Sequence, residues 1–201
     1  MWKVFQVPIR VGSTLAYELN VQGHKNVPQT GGVLLLANHQ SNLDPPIVGV
    51  RMLRPCCFLA KSELFENRFF SWFIRSFNAF PVRQGKGDVG AMKQSIRLLE
   101  SGHALMMFPE GSRTKDGQLQ RLEPGVGLIV RKTKVPVVPV ALDGTFQAWP
   151  IGASAPRTGR VRVRFGKPIY GLHKSDARSI MDRAAAEIAS LFETIRFDKN
   201  P

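Results

Sequence analysis

Apolar residues fall into short runs and periodic stretches along this chain, and together they predict alternating strands and helices. Short apolar runs, typical of buried strands, lie at residues 33–37, 56–60, 80–82, 104–108 and 137–142, and an alternating one lies at 161–165. Apolar residues at helical spacing predict helices over 45–53, 62–78, 88–101, 125–134 and 175–196, with Ser175 as the cap of the last. Because strand and helix alternate, we expect an α/β fold whose largely parallel, mixed sheet is flanked by helices.

The amino-terminal residues combine apolar side chains with isolated charges. The apolar ones are Trp2, Phe5, Val7, Ile9, Val11, Leu15 and Leu19, and the charged ones are Lys3, Arg10 and Glu18. This pattern suits a helix or helix pair lying in a membrane interface; a segment packed on the domain is the alternative. We therefore divide the chain into a membrane-interface helical segment at residues 1–22 and one α/β domain at residues 23–201.

Cysteine usage and apolar run lengths bear on the compartment. Pro8 and Arg10 interrupt the apolar core that a secretory signal needs, and no run approaches the roughly 20 apolar residues of a spanning helix. Cys56 and Cys57 are adjacent in a predicted strand, so they point to opposite faces and suit neither a disulfide nor a metal site. We expect reduced core cysteines, a reducing compartment, and a protein that is soluble or rests on a membrane.

The charge of the chain restricts its partners. It carries 28 Lys and Arg residues against 15 Asp and Glu residues, a formal net charge of +13 at pH 7. Such a charge attracts nucleic acid, an anionic membrane surface or phosphorylated small molecules. The aromatic residues cluster with apolar residues instead of alternating with Lys and Arg, and no nucleic-acid-binding signature is present. We therefore expect no nucleic-acid partner and retain the other two.

A His and an Asp follow the first predicted strand of the domain. His39 and Asp44 lie between the run 33–37 and the helix-start signal Pro45-Pro46, on the kind of loop where α/β proteins collect catalytic groups. A neutral imidazole accepts a proton near pH 7, and a carboxylate on its other nitrogen fixes the tautomer and stabilises the imidazolium. The alternatives are a helix cap at Asp44 and a loop His39 satisfied by the backbone.

A second loop with chemical groups follows the strand predicted at 104–108. The stretch Phe108-Pro109-Glu110-Gly111-Ser112-Arg113-Thr114 presents a carboxylate and a guanidinium on one turn. A guanidinium matches phosphate oxygens bidentately; a surface ion pair is the alternative. Because parallel strands end at one edge of a sheet, we expect the chemical side chains that follow these strands to share one rim. They are His39, Asp44, Lys61, Arg83, Glu110 and Arg113.

A third distinctive stretch is rich in β-branched residues and proline. It reads Val135-Pro136-Val137-Val138-Pro139-Val140. Proline has no N–H to donate to a neighbouring strand, so two prolines three residues apart break sheet pairing. The pattern predicts a sheet edge or a rigid wall.

Four motifs in order carry a family resemblance. They are Asn-His-x4-Asp at 38–44, Phe-x-x-Arg at 80–83, Phe-Pro-Glu-Gly-Ser-Arg-Thr at 108–114 and Val-Pro-Val-Val-Pro-Val at 135–140. Their order and spacing resemble those of the glycerolipid acyltransferases, and the chain is similar to the bacterial-type 1-acylglycerol-3-phosphate acyltransferases over about residues 30–170.

The resemblance implies roles for the matching positions. His39 would be the general base and Asp44 would orient it. Glu110, Gly111, Ser112 and Arg113 would bind the glycerol-phosphate part of the acceptor, and Arg83 its phosphate, with Lys61 added to the phosphate site. Val135, Pro136, Val137, Val138, Pro139 and Val140 would lie along the acyl-donor site. In a Val-x-Arg register of the second motif, the chain has Gln84 in place of the arginine, and Lys61 with Arg113 would then carry the phosphate.

The resemblance also implies a reaction and a location. A fatty acyl group would pass from acyl-CoA or acyl-carrier protein to the sn-2 hydroxyl of lysophosphatidate and give phosphatidate. Glycerol-3-phosphate, another lysophospholipid or a lysolipid is the alternative acceptor. We expect no cofactor beyond the acyl co-substrate, no metal, and a peripheral or monotopic protein on the cytoplasmic face of an anionic membrane. A hydrolase with a serine nucleophile is the rival, but the Gly-x-Ser-x-Gly pattern is absent.

Overall fold

A mixed sheet runs through the part of the chain that the computed structural model describes, which is residues 2–76, 78–82 and 89–196. The helices are α1 (Trp2–Ala16), α2 (Asp44–Gly49), α3 (Arg68–Ser76), α4 (Val89–Glu100), α5 (Gly125–Thr133), α6 (Thr145–Ala148) and α7 (Ala177–Ile195). The strands are β1 (Tyr17–Gln22), β2 (Val33–Ala37), β3 (Cys56–Lys61), β4 (Ala79–Val82), β5 (Ala104–Met107), β6 (Val137–Asp143) and β7 (Gly159–Phe165). Short 3-10 turns cover His24–Asn26, Ser62–Phe65 and Leu172–Lys174.

The strand order is β1-β7-β6-β2-β5-β3-β4. The pairs from β6 through β2, β5 and β3 to β4 are parallel, β7 is antiparallel to β6, and β1 is parallel to β7. The expected α/β class with a largely parallel, mixed sheet is confirmed. The carboxyl ends of β4, β3, β5, β2 and β6 therefore lie along one sheet edge, called the rim below.

Side chains of the central strands pack on both faces of the sheet. Leu35 of β2 belongs to the apolar cluster that includes α2, and Leu34 belongs to the cluster that includes α4, α5 and α7. Both are fully buried, and burying a leucine contributes about 1.5–3 kcal/mol. Cys56 and Cys57 divide between the same two clusters as free thiols, which is the placement that strand alternation predicted.

The amino-terminal segment differs from the expected helix over residues 1–22. Helix α1 ends at Ala16, and Tyr17–Gln22 pairs with β7 as an edge strand of the sheet. Tyr17, Leu19 and Val21 turn towards the core while the polar residues between them are exposed. This period of two favours a strand over a helix. Residues 17–22 therefore belong to the α/β sheet.

The proline-rich run does not form an edge strand of the sheet. Strand β6 is an interior strand between β2 and β7. The N–H of Val137 donates to Ile169 O at 3.1 Å, and alternate residues of a strand point to the same side, so the nitrogen of Pro139 also faces this side. The β6–β7 ladder begins only at Val140. Pro139 therefore lies between the Val137–Ile169 bridge and the β6–β7 ladder. Its lack of an N–H group removes no hydrogen bond from the sheet.

Three helix boundaries also differ from the sequence expectation. The stretch 62–78 is divided into the 3-10 turn Ser62–Phe65 and α3, and α2 is shorter than the predicted 45–53. Helix α7 is capped by Asp176, not Ser175, because the Asp176 carboxylate accepts the N–H groups of Arg178 and Ser179, each at 3.0 Å. Within the described ranges, no helix is both long and apolar enough to cross a bilayer.

Candidate active site

The loop after β2 is anchored to β6 by Asn38. Its Nδ2 donates to Leu142 O at 2.9 Å, and its Oδ1 accepts the N–H of Leu142 at 2.7 Å. Asn38 is 1% exposed, so both bonds are shielded from water. This side chain replaces a main-chain ladder where β2 ends, and it fixes the start of the loop that carries His39.

Asp44 holds the loop and the His39 ring together. Its Oδ2 lies 2.8 Å from His39 Nδ1, and it also accepts the N–H groups of Gln40 at 2.7 Å and Ser41 at 2.8 Å. Asp44 is fully buried. With Nδ1–H donated to the carboxylate, His39 Nε2 is left as the proton acceptor. Asp44 is thus the first residue of α2 and also orients the imidazole.

The loop after β5 supports the other side of His39. The Phe108 ring stacks on the imidazole with centroids 4.0 Å apart and planes at 18°. The N–H of Thr114 donates to His39 O at 2.8 Å. The His39 side chain is 18% exposed, and no described residue makes a hydrogen bond with its Nε2. Nε2 therefore has no protein partner among the described residues of the rim.

Glu110 is a buried carboxyl beside this pair. Its Oε2 accepts from Gln120 Nε2 at 3.0 Å, while its Oε1 has no hydrogen-bond partner among the described residues. Burial raises the pKa of Glu110 from 4.5 to about 7, against the lowering effect of the Gln120 hydrogen bond and of the nearby His39 main chain; the Asp44 charge raises it further. The carboxyl therefore exists in both protonation states near neutral pH, and its Oε1 is buried without a hydrogen-bond partner among the described residues.

Turn geometry presents the rest of this loop. Gly111 has φ of 72°, a left-handed conformation that glycine adopts without steric cost, and its N–H donates to Phe108 O at 3.1 Å. Ser112 is exposed, and its carbonyl accepts from Gln120 Nε2 at 3.2 Å. Arg113 is partly exposed, and no described residue pairs with its guanidinium.

The structure describes the position of Lys61 but not that of Arg83, the other cation predicted for the phosphate site. Lys61 is exposed at the end of β3, opposite Val82 of β4 in the parallel register. It therefore lies on the rim with His39 and Glu110, as expected. Arg83 and Gln84 lie outside the described residues, so the choice between the two registers of the second motif stays a prediction.

The structure does not bring the run 135–140 to the rim. Val135 and Pro136 are partly exposed and precede β6, which places them at the opposite sheet edge from His39. The residues from Val137 to Val140 are buried, because β6 is interior and covered on both faces. The donor-binding role implied by the resemblance stays a prediction, and the burial of these side chains gives it no support.

Several residues of the site were not singled out from the sequence. Gln40 is buried, donates from Nε2 to Gly117 O at 3.0 Å, and accepts from Thr145 Oγ1 at 3.2 Å, which ties the His39 loop to the loop after β5 and to α6. Asn38 and Phe108 stand inside quoted motifs, and their position was a usable signal. Gln120 lies in an irregular stretch and carried none.

The described residues include no group of three or more His, Cys, Asp or Glu side chains placed to hold a metal ion. His39 and Asp44 contact each other directly, with 2.8 Å between Nδ1 and Oδ2. Their arrangement suits proton transfer to and from a ligand at Nε2.

Comparisons with known proteins place this geometry in a family. The Acyltransferase family profile matches residues 18–143. A 1-acyl-sn-glycerol-3-phosphate acyltransferase of Bacillus subtilis is 28% identical over 200 residues, covering 98% of this chain and 96% of the relative. A chloroplastic enzyme of the same name from Brassica napus is 33% identical over 177 residues, covering 86% of this chain.

A solved structure agrees with these matches. The crystal structure of the 1-acyl-sn-glycerophosphate acyltransferase PlsC from Thermotoga maritima superposes with a TM-score of 0.83 at 26% identity, covering 96% of this chain and 79% of that one. The chain spans 50% of the length of its Brassica relative. The profile match takes in β1 to β6 and both loops of the site, and this chain belongs to the acyltransferase family.

Proposed function

We propose that this protein transfers a fatty acyl group from a thioester, acyl-CoA or acyl-carrier protein, to the sn-2 hydroxyl of lysophosphatidate, giving phosphatidate. The observation that carries the proposal is the 2.8 Å contact between His39 Nδ1 and Asp44 Oδ2, with Nε2 open at the rim. The names of the relatives support the choice of acceptor.

In the proposed reaction His39 acts as general base. Nε2 takes the proton of the acceptor hydroxyl as that oxygen attacks the thioester carbonyl carbon. The tetrahedral oxyanion then collapses, the carbon–sulfur bond breaks, and the departing thiolate takes the proton from the imidazolium. The Asp44 carboxylate stabilises the imidazolium between these two transfers. No acyl-enzyme forms, and the imidazole returns to its neutral state.

Three contributions account for the rate in this proposal. Holding two substrates in reacting geometry supplies up to about 7–11 kcal/mol of barrier reduction. General base catalysis adds a factor of about 10²–10⁴. Main-chain N–H groups at a loop or helix start stabilise the oxyanion, at about 2.7–4 kcal/mol for a well-placed donor.

The acceptor phosphate is assigned to cations of the rim. Arg113 follows Glu110 on the same loop and has a guanidinium that no described residue pairs with. Lys61 lies on the same rim at the end of β3. Glu110 Oε1 is buried and has no hydrogen-bond partner among the described residues, and in this proposal a glycerol hydroxyl of the acceptor donates to it. Arg83 completes the phosphate site in this proposal, on the strength of the motif alone.

We propose that the protein acts at the cytoplasmic face of an anionic membrane. Val7, Val11 and Leu15 are 63%, 53% and 82% exposed, and their spacing of four puts them on one face of α1. Phe69 and Trp72 of α3 are 77% and 51% exposed. An apolar helix face beside basic residues suits an interfacial location, and the net charge of +13 favours an anionic surface.

Label transfer tests the proposed function. Purified protein is incubated with radiolabelled oleoyl-CoA and, in separate reactions, lysophosphatidate, glycerol-3-phosphate and lysophosphatidylcholine, and the lipids are resolved. Label in phosphatidate is the expected result. Label in another product keeps the acyl transfer and replaces the acceptor. The same series is run with oleoyl-carrier protein, and no transfer from either donor refutes the proposed function.

A further inference from the structure

A cleft of about 200 Å³ lies between the loop after β5 and the first half of α7. Leu122 and the buried Met181 form part of its apolar wall. Arg121 comes from the loop and Arg178 from the first turn of α7, and both are exposed. The cleft therefore joins an apolar floor to two guanidinium groups from separate elements.

The guanidinium groups of this cleft are free to bind a ligand. No described residue makes an ion pair or a hydrogen bond with the guanidinium of Arg121 or of Arg178; the contact of Arg178 with Asp176 is made by its main-chain N–H. Asp182 also lines the cleft but pairs with neither arginine. Two unpaired guanidinium groups match a phosphate group, whose oxygens accept bidentate hydrogen bonds.

A second cleft on the same helix shows the contrast. It has about 270 Å³ and lies between β1, β7 and the end of α7. Its arginines are used by the fold: Arg162 donates to Ile195 O at 3.1 Å at the carboxyl end of α7, and Arg164 donates to Thr194 Oγ1 at 2.8 Å. Arginine alone therefore does not distinguish the first cleft; unpaired arginine does.

The first cleft is continuous with the active-site loop. Gln120 lines it, and the same side chain holds Glu110 and the carbonyl of Ser112. Helix α7 packs against β6, β7 and α5, whereas Lys61 ends β3, beyond β2 and β5 in the strand order. The α7 wall of the cleft is therefore separated from Lys61 across the sheet, which leaves room for two phosphate-bearing substrates.

We propose that Arg121 and Arg178 bind the phosphate of the phosphopantetheine arm that carries the acyl thioester. This assignment rests on the proposed function, because it is the donor that needs a second phosphate site. CoA and carrier protein share this arm, so the cleft serves either source. In this proposal the apolar wall packs against the pantetheine chain. The chain passes Gln120, which connects the cleft to Glu110 of the active-site loop, and reaches His39.

Two synthetic donors that differ only in the phosphate test the proposal. Initial rates are measured with oleoyl-phosphopantetheine and oleoyl-pantetheine at saturating lysophosphatidate, for the wild type and the double variant Arg121→Ala/Arg178→Ala. We expect KM for the phosphorylated donor to rise about five- to tenfold, the effect of two exposed charge pairs, with KM for the other donor unchanged. Arg164→Ala is the control for loss of an arginine from a cleft and should change neither KM.

KM for lysophosphatidate is measured separately at saturating oleoyl-phosphopantetheine. Equal effects on both donors, or a rise in KM for lysophosphatidate alone, overturn the assignment. KM is then measured with oleoyl-CoA and with oleoyl-carrier protein as donors. The double variant is expected to have a raised KM for both. Calorimetric binding of CoA to wild type and double variant is independent of turnover. Weaker binding by the double variant without any acyl transfer in the wild type supports the site and refutes the proposed function; unchanged binding refutes the site.

Discussion

Asp44 Oδ2 accepts from His39 Nδ1 at 2.8 Å while it also accepts the main-chain N–H groups of Gln40 and Ser41. One carboxylate oxygen thus stabilises the turn at residues 40–44 and orients the His39 imidazole. The helix cap that the sequence offered as the alternative role of Asp44 is wrong, because its carboxylate accepts N–H groups that precede α2 and none of the helix itself; the contact with His39 is the other possibility that the sequence gave.

Replacing His39 tests the base. We expect His39→Ala to lower kcat by a factor of about 10²–10⁴ with little change in KM, because the imidazole acts on the proton and not on the acceptor phosphate. The lost stacking on Phe108 costs about 0.5–1.5 kcal/mol of stability, which circular dichroism and urea unfolding can measure.

A second histidine provides the matched control. His103 is exposed and immediately precedes β5, at the sheet edge opposite the rim. His103→Ala should keep full activity in the acyl-transfer assay. Retained turnover in His39→Ala, in a folded protein, would remove His39 from the mechanism.

The raised pKa of Glu110 predicts a pH-dependent loss of stability. Burial raises this pKa from 4.5 to about 7, so the folded protein binds more protons than the unfolded chain between these two values. The free energy of unfolding therefore falls as pH rises through this window and stays lowered above pH 7. A difference of one pH unit between two pKa values is worth about 1.4 kcal/mol, which makes the total a few kcal/mol.

Glu110→Gln removes this titration and keeps an acceptor oxygen for Gln120. We expect the variant to lose less stability than the wild type between pH 5 and pH 8, measured by urea unfolding at each pH. The control is Glu123→Gln, because Glu123 is exposed. Parallel stability profiles for the wild type and Glu110→Gln would show that Glu110 does not have the raised pKa.

Sequence reasoning found the parts that a local pattern marks and missed those made by distant pairing. The buried runs gave six of the strands, and motif order brought His39, Asp44 and Glu110 to one rim. Strand β1 was missed because half its residues are polar, and only pairing with β7 across the chain reveals it. Pro139 suggested an edge strand because proline lacks an N–H. That loss removes no bond here, since the β6–β7 ladder begins only at Val140, and the sequence does not show where the ladder begins. Gln120 and the burial of Glu110 likewise follow from tertiary contacts alone.

Asn38 should contribute strongly to stability. Asn38→Ala leaves the N–H and the carbonyl of Leu142 buried without their present partners, and each unsatisfied group costs about 1–3 kcal/mol. The midpoint of urea unfolding should fall accordingly. Asn42→Ala, on the same loop but exposed, should change it little. Equal small effects would mean that the bonds across β2 and β6 contribute no net stability.

Two glycines of α5 should respond in opposite directions to alanine. A Cβ at Gly127 would lie 2.9 Å from Ala177 Cα, where α5 meets the start of α7, whereas a Cβ at Gly125 would meet nothing within 4 Å. Overpacking costs about 1–3 kcal/mol, and replacing a helical glycine gains up to about 1 kcal/mol. Gly127→Ala should therefore lower the Tm and Gly125→Ala should hold or raise it. A tolerated Gly127→Ala would indicate that α7 shifts away from α5.

The exposed face of α1 should bind lipid. Val11 and Leu15 are 53% and 82% exposed one helical turn apart, and burying such a side chain is worth about 1.5–3 kcal/mol. Val11→Ser/Leu15→Ser should therefore weaken binding to phosphatidylglycerol vesicles at least tenfold in a sedimentation assay, because each serine removes apolar area from the interface. Leu128→Ser is the control, since Leu128 is 46% exposed on α5, away from this face, and it should bind as the wild type does. If both variants bind equally well, α1 is not the docking face, and the exposed aromatic residues of α3 become the next surface to substitute.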